Sequence, residues 1–213
     1  LKGRLGHIYF VEFSYLTPNP LIAWGKSPWF FSPEAGGGVL LDKGPHVFDL
    51  LNYVFGDFPY AVSANASTFL DSPVEDSCVC ILEYPEGRTG IGIMGWLSPQ
   101  DIENISIHGT AQSLFVSPNL SLEVNATDIT EISLWRRATE SLISLKFPNL
   151  PLLHNKKVNT FQLEIDNFVQ QIRENRTNSE SALNGLNVLI ACDAAKKSIE
   201  RKERIGFTSL RKV

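Results

Sequence analysis

The stretch Gly36-Gly37-Gly38-Val39-Leu40-Leu41-Asp42-Lys43-Gly44-Pro45-His46-Val47-Phe48-Asp49-Leu50-Leu51 decides how this chain is read. A glycine-rich entry runs into an acid and a histidine four residues apart, the spacing that brings two side chains to one helical face. An Asp beside a His can orient the ring, select its tautomer and stabilise the imidazolium that forms when the ring takes a proton. Asp42 and His46 are therefore the candidate catalytic residues, in the outline of a general base. Pro45 suits a first helical turn, and Val47, Leu50, Leu51 and Val54 follow at helical spacing. That register puts His46 near the helix N-terminus, whose positive end favours the neutral, proton-accepting imidazole. The plainer reading of the same residues is an Asp that caps the helix and a histidine satisfied in the core.

Working outward, the run from Trp29 to Asp49 reads W-F-F-S-P-E-A-G-G-G-V-L-L-D-K-G-P-H-V-F-D. It resembles the signature of the Gfo/Idh/MocA oxidoreductases, the glucose-fructose oxidoreductase and inositol dehydrogenase family: a glycine run, a few apolar residues, then D-x-x-x-H and a further Asp. Leu5 to Val11 resembles the strand that opens the second domain of these enzymes, and Phe161 to Arg173 followed by Ser181 to Ser198 resembles their closing helical pair. The resemblance implies an NAD- or NADP-dependent oxidoreductase acting on a sugar or polyol. In it, His46 removes the hydroxyl proton and Asp42 positions the ring. It further implies a homodimer or higher oligomer formed through the sheet.

The family's Glu-Lys-Pro is absent from these 213 residues, and its G-x-G-x-x-G turn is not found: Gly90-Ile91-Gly92-Ile93-Met94-Gly95 has that spacing but falls inside the segment 89–96 that reads as a strand, with no strand-to-helix turn around it. Gly36-Gly37-Gly38 lies outside any βαβ unit, so a tight turn or close backbone approach is its expected role rather than phosphate binding. The expectation is a single C-terminal substrate-binding and oligomerisation domain over residues 1–213, with the dinucleotide-binding domain missing from this chain. No cofactor-binding residue is assigned here. The chain alone is expected to be inactive.

The remaining pattern is strands, a helix, more strands and two helices. His7 to Tyr15 alternates as a strand and is followed by a Pro-rich loop from Thr17 to Pro33 carrying Trp24, Trp29, Phe30 and Phe31. Those aromatics either wall a sugar pocket or pin the loop to the core. Residues 60–69, 76–83, 89–96, 102–108, 114–116 and 120–124 read as β-segments, with further pieces at 131–135 and 142–147 and a turn at Pro85-Glu86-Gly87. The fold class is α+β, a large, mostly antiparallel open sheet with helices on one face. Near the end, Phe161, Ile165, Phe168 and Ile172 recur on one helix face, and Leu183, Leu186, Ile190 and Ala194 on another.

Composition bounds the function. With 43% hydrophobic and 20% charged residues, the chain can bury a substantial core. A net charge of −4 offers no broad basic surface, so neither nucleic acid nor anionic membrane is an expected partner. Cys78 and Cys80 share one side of a strand and Cys192 lies in a helix, a pattern of small core residues in a reducing compartment. With no spanning apolar run and no leader before Leu1, the cytoplasm is the expected location.

Trp29, Lys43 and Asp49 are added as candidate substrate-binding residues. Asp49, three residues after His46, shares its helical side, while Lys43 faces either substrate or solvent. Two alternatives stand beside the oxidoreductase: a non-catalytic binding or dimerisation module derived from the family, and a metal-dependent hydrolase or isomerase using Asp42, His46 and Asp49 as ligands.

Overall fold

The computed structural model describes residues 2–20, 28–117, 120–125, 160–175 and 179–209. In chain order the elements are α1 (Lys2–Leu5), β1 (Ile8–Leu16), a 3-10 turn (Pro28–Phe31), α2 (Val39–Phe55), β2 (Ala61–Ser67), β3 (Ser77–Glu83), β4 (Thr89–Gly95), β5 (Ile102–Gly109), β6 (Gln112–Ser117), β7 (Leu120–Asn125), α3 (Thr160–Arg173), α4 (Ser179–Arg201) and β8 (Ile205–Gly206). The strands form one sheet in the order β7-β6-β5-β1-β4-β3-β2-β8. Only β1 and β4 run parallel; every other neighbouring pair is antiparallel. The expected mostly antiparallel open sheet is what the chain forms. The two β-segments expected at 131–135 and 142–147 lie outside the described residues.

Alternation explains which face is covered. In β3, Cys78, Cys80 and Leu82 are buried while Val79 and Ile81 point the other way. In β4 the inward positions are Gly90, Gly92 and Met94. The two glycines are there because helix α2 lies directly on this strand: a Cβ on Gly92 would stand 2.7 Å from Val47 Cγ1. Val47, Phe48 and Leu51 of α2 are fully buried on that seat. Each contributes roughly 1.5–3 kcal/mol by leaving water. The β3–β4 turn is the expected Pro-Glu-Gly, with Glu86 (φ 64°) and Gly87 (φ 73°) both left-handed.

Helix α4 packs against α2 and β2 through a face of small residues: Val188, Ala191, Cys192, Ala194 and Ala195 are buried. This corrects the expected stripe, since Leu186 is exposed. Small side chains let the two helices approach closely, and large ones are left outside. Gly44 serves the same approach from α2, because a Cβ there would lie 3.3 Å from Cys192 Sγ. The short β8 then returns antiparallel to β2 and forms the sheet edge, an element too short to show any periodicity in sequence.

Candidate active site

The helix that carries Asp42 and His46 begins earlier than Pro45 suggests. It starts at Val39, with Gly38 as N-cap at φ 111° and no capping side chain of its own. Asp42 is thus not the cap. The cap comes from across the fold: Leu40 N donates to Glu75 Oε1 at 3.1 Å and Val39 N to the Glu75 carbonyl at 3.0 Å. A Cβ on Gly38 would collide with that carboxylate, so the glycine makes room for a cap borrowed from residue 75. Pro45 therefore sits inside the helix. His46 lies two turns in, beyond the first turn where the dipole acts, so the dipole argument for a neutral ring loses its basis.

The glycine run is spent on packing. Gly37 N donates to the Ser32 carbonyl at 2.8 Å and Gly38 N to the Phe30 carbonyl at 3.0 Å, while Gly36 N donates to Pro33. A Cβ on Gly37 would strike the backbone of Trp29 and Phe30. With their N–H groups directed at the preceding turn, these glycines do not form a cradle for a dinucleotide pyrophosphate, and the described residues do not fit a cofactor there.

Asp42 meets one hydrogen-bond donor and one cation. Trp96, just past β4, donates its indole N–H to Asp42 Oδ2 at 3.0 Å, and Lys43 Nζ lies 3.5 Å from the same oxygen. Lys43 is 9% exposed, and its ammonium also stands 4.1 Å over the centroid of the Tyr15 ring. The Tyr15 ring in turn makes an edge-on contact with His46, centroids 6.1 Å apart. Among the described residues no hydrogen bond joins Asp42 to His46. The two share a helix side, and the exposed imidazole sits beyond the anchored acid.

His46 stands on a ridge between two grooves. One, of about 390 Å³, is lined by Phe13, Tyr15, His46, Asp49, Leu50, Tyr53 and Glu103. The other, of about 840 Å³, runs between α2 and α4 and includes His46, Asp49, Asn52, Tyr53, Asp57 and Asn184. Phe13 and Tyr15 stack at 5.9 Å and give the smaller groove an aromatic floor, next to which Glu103 is placed by its register opposite Tyr15. Asp49, exposed, lines both grooves; Lys43 lines neither.

Trp29 is 41% exposed and stacks on Phe30 at 4.0 Å, and Phe30 and Phe31 pack on Trp96 at 5.9 and 5.4 Å. The aromatic turn therefore pins the loop around Trp96, and Trp29 lines neither groove. Trp96, Tyr15, Glu75 and Glu103 were not singled out from sequence. Trp96 closes a visible strand, but nothing local signals that its indole reaches an acid 54 positions earlier.

No described group of three or more His, Cys, Asp and Glu side chains is arranged to hold a metal ion, so Asp42, His46 and Asp49 do not form the ligand set of the metal alternative. No described helix is long and apolar enough to cross a membrane.

Relatives share this arrangement of chain. Inositol 2-dehydrogenase of Rhizobium meliloti (strain 1021) is 22% identical over 215 residues, covering 96% of this chain and 58% of its own. A levoglucosan dehydrogenase in complex with NADH superposes with a TM-score of 0.76 at 20% identity, over 98% of this chain and 61% of its own. The WlbA dehydrogenase of Bordetella pertussis, in complex with NADH and UDP-GlcNAcA, gives 0.70 at 22% identity, over 97% and 58%. This chain thus spans about three fifths of their length. Residues 1–115, which contain the whole Asp42–His46 segment and the strands beneath it, match the GFO/IDH/MocA C-terminal domain, and the chain belongs to that family.

Proposed function

We propose that this chain is the substrate-side domain of an NAD- or NADP-dependent dehydrogenase of a sugar, polyol or related hydroxy compound. The observation that carries the reading is His46 exposed on the ridge between two grooves, one turn beyond an acid fixed by Trp96 and Lys43. Oxidation of a secondary alcohol takes a proton from oxygen and a hydride from carbon. The nicotinamide, held outside the described residues, supplies the hydride acceptor. This chain's part is to bind hydroxyls and move one proton: His46 accepts it and Asp42 stabilises the imidazolium that results.

The groove beside Tyr15 suits such a substrate. A sugar ring presents C–H bonds to the Phe13–Tyr15 floor, and its hydroxyls can donate to Asp49 and Glu103, which as carboxylates only accept. A solved relative points the same way, since levoglucosan dehydrogenase is seen in complex with NADH and L-sorbose and in complex with NADH and levoglucosan. The uncovered sheet face supports assembly with a second copy: Val79 and Ile81, 40% and 43% exposed, sit in register beside Ile93 and Ile91 and make an apolar strip. Three buried, free cysteines fit a reducing compartment, and we place the protein in the cytoplasm.

The test is a panel of neutral sugars and polyols, myo-inositol and levoglucosan among them, offered to the full-length protein with NAD and with NADP. Reduction of the cofactor with at least one of them is the expected result. No reduction with any would contradict the reading. The 213-residue chain alone is expected to give none, and turnover by it would refute a cofactor site outside these residues.

A further inference from the structure

Among the described residues, the contacts of Asp42 fall on one of its oxygens. The Trp96 indole N–H and the Lys43 ammonium both approach Oδ2, at 3.0 and 3.5 Å, and among the described residues Oδ1 has no hydrogen-bond partner. The two groups come from different layers, the indole from just past the end of β4 and the ammonium from the next position along α2. Each is itself fixed. Trp96 is 1% exposed, its amide donates to the Asp76 carbonyl at 2.9 Å, and Phe30 and Phe31 flank its ring. Lys43 is nearly as buried, with the Tyr15 ring under its ammonium.

A buried ammonium needs a counter-charge, and among the described residues Asp42 supplies it. Because Lys43 lines neither groove, its charge is committed to the acid rather than to a ligand. A carboxylate oxygen that accepts an indole N–H and faces an ammonium is restrained in rotation, and the helix spacing puts Asp42 and His46 on one side of α2. Tyr15 aligns both, offering its face to Lys43 and a perpendicular contact to His46.

We propose that Lys43 and Trp96 are positioning residues that anchor Asp42 through Oδ2 and so reserve Oδ1 for the His46 imidazole, which lines both grooves while Asp42 lines neither. This rests on the proton-transfer reading of the site given above. Lys43 then acts through Asp42 and touches no substrate.

The test has two arms. In the first, the indole N–H resonance of Trp96, assigned by its loss in Trp96→Phe, is compared between the wild-type protein and Lys43→Met, which keeps length and removes charge. A clear shift is expected, because the oxygen that accepts this N–H loses the ammonium beside it; an unchanged resonance overturns the shared anchor. In the second, Lys43→Met, Trp96→Phe and the double variant are assayed in the full-length protein on the best sugar of the panel. Each single variant is expected to lower kcat by roughly ten- to a hundredfold with KM within about threefold, and the double to be no worse than the poorer single, because both act on one oxygen. Multiplicative losses, or losses confined to KM, overturn the proposal. Failure of the wild type to oxidise any sugar defeats the functional reading instead, while the resonance still decides the anchor. Should Lys43→Met fail to fold, Trp96→Phe carries the kcat-against-KM comparison alone.

Discussion

At the scale of single residues the chain separates groups that react from groups that are kept silent. Burial pushes the Cys192 thiol up to about 12, and Cys80 is raised well above the ordinary thiol range by its contact with Cys78, 3.7 Å away, and by burial. A thiolate is the reactive form, so these cysteines are inert while the fold holds. Treatment of the native protein with a thiol reagent at pH 8 is expected to label none of the three cysteines quickly, and to label all three once urea unfolds it. Rapid labelling of the folded protein would show a reachable thiol. Asp42 and His46 were legible in sequence because a four-residue spacing is local information. Their surroundings were not, because Trp96, Tyr15 and Glu103 reach the site through strand pairing at separations no periodicity encodes.

At the scale of elements, α2 is placed by glycines beneath it and by side chains at its ends. Glu75 caps its first turn, and Arg88 donates to the Phe55 carbonyl at 3.2 Å and to Asp57 at 2.9 Å at its last. Both partners lie in connections just before strands, Glu75 before β3 and Arg88 before β4, so both ends of the helix are tied to the sheet, whose strand β4 leads into Trp96. Gly92→Ala places a methyl against Val47 and is expected to destabilise the fold by about 1–3 kcal/mol, read as a lower urea midpoint. Glu75→Ala is expected to cost about 1 kcal/mol through the lost cap. A midpoint unchanged in both variants would mean that α2 is not seated as described. The start of α2 was misread for the same reason that it needs Glu75: proline favours first turns, Gly38 carries no cap, and the true cap lies 35 residues away. The small-residue face of α4 was likewise hidden, because alanine and cysteine mark a close helix contact less loudly than leucine marks a core.

At the scale of the whole molecule, the sheet has one covered and one open face, and the open one is mixed. Its apolar strip around Val79 and Ile81 gives way to Glu12, Ser106 and His108 along β1 and β5. If a second copy docks on this face as proposed, the wild type sediments as a dimer and Ile81→Lys, outside the candidate site, as a monomer. A dimer that persists unweakened would place the contact elsewhere. His108 sets a pH dependence of stability. Burial beside Phe10 and Phe115 lowers its pKa below the ordinary histidine value, a shift partly opposed by Glu12. The unfolded chain therefore binds the proton first. This contribution is flat above the ordinary value, and stability falls as pH drops from there toward the lower folded one. Urea midpoints at pH 7.5 and 5.5 are expected to differ less in His108→Gln than in the wild type.

The overall architecture was readable from alternation and from the family signature, because an open sheet with one wet face writes its period into the strands. The central claim is narrower: His46 moves the substrate proton. It is tested most directly by the single-turnover rate of cofactor reduction in His46→Gln against wild type, measured on the full-length protein with its best sugar at saturating cofactor. A fall of about 10²- to 10⁴-fold, with sugar binding within a few-fold of wild type, is the expected result. A rate within threefold of wild type would contradict it.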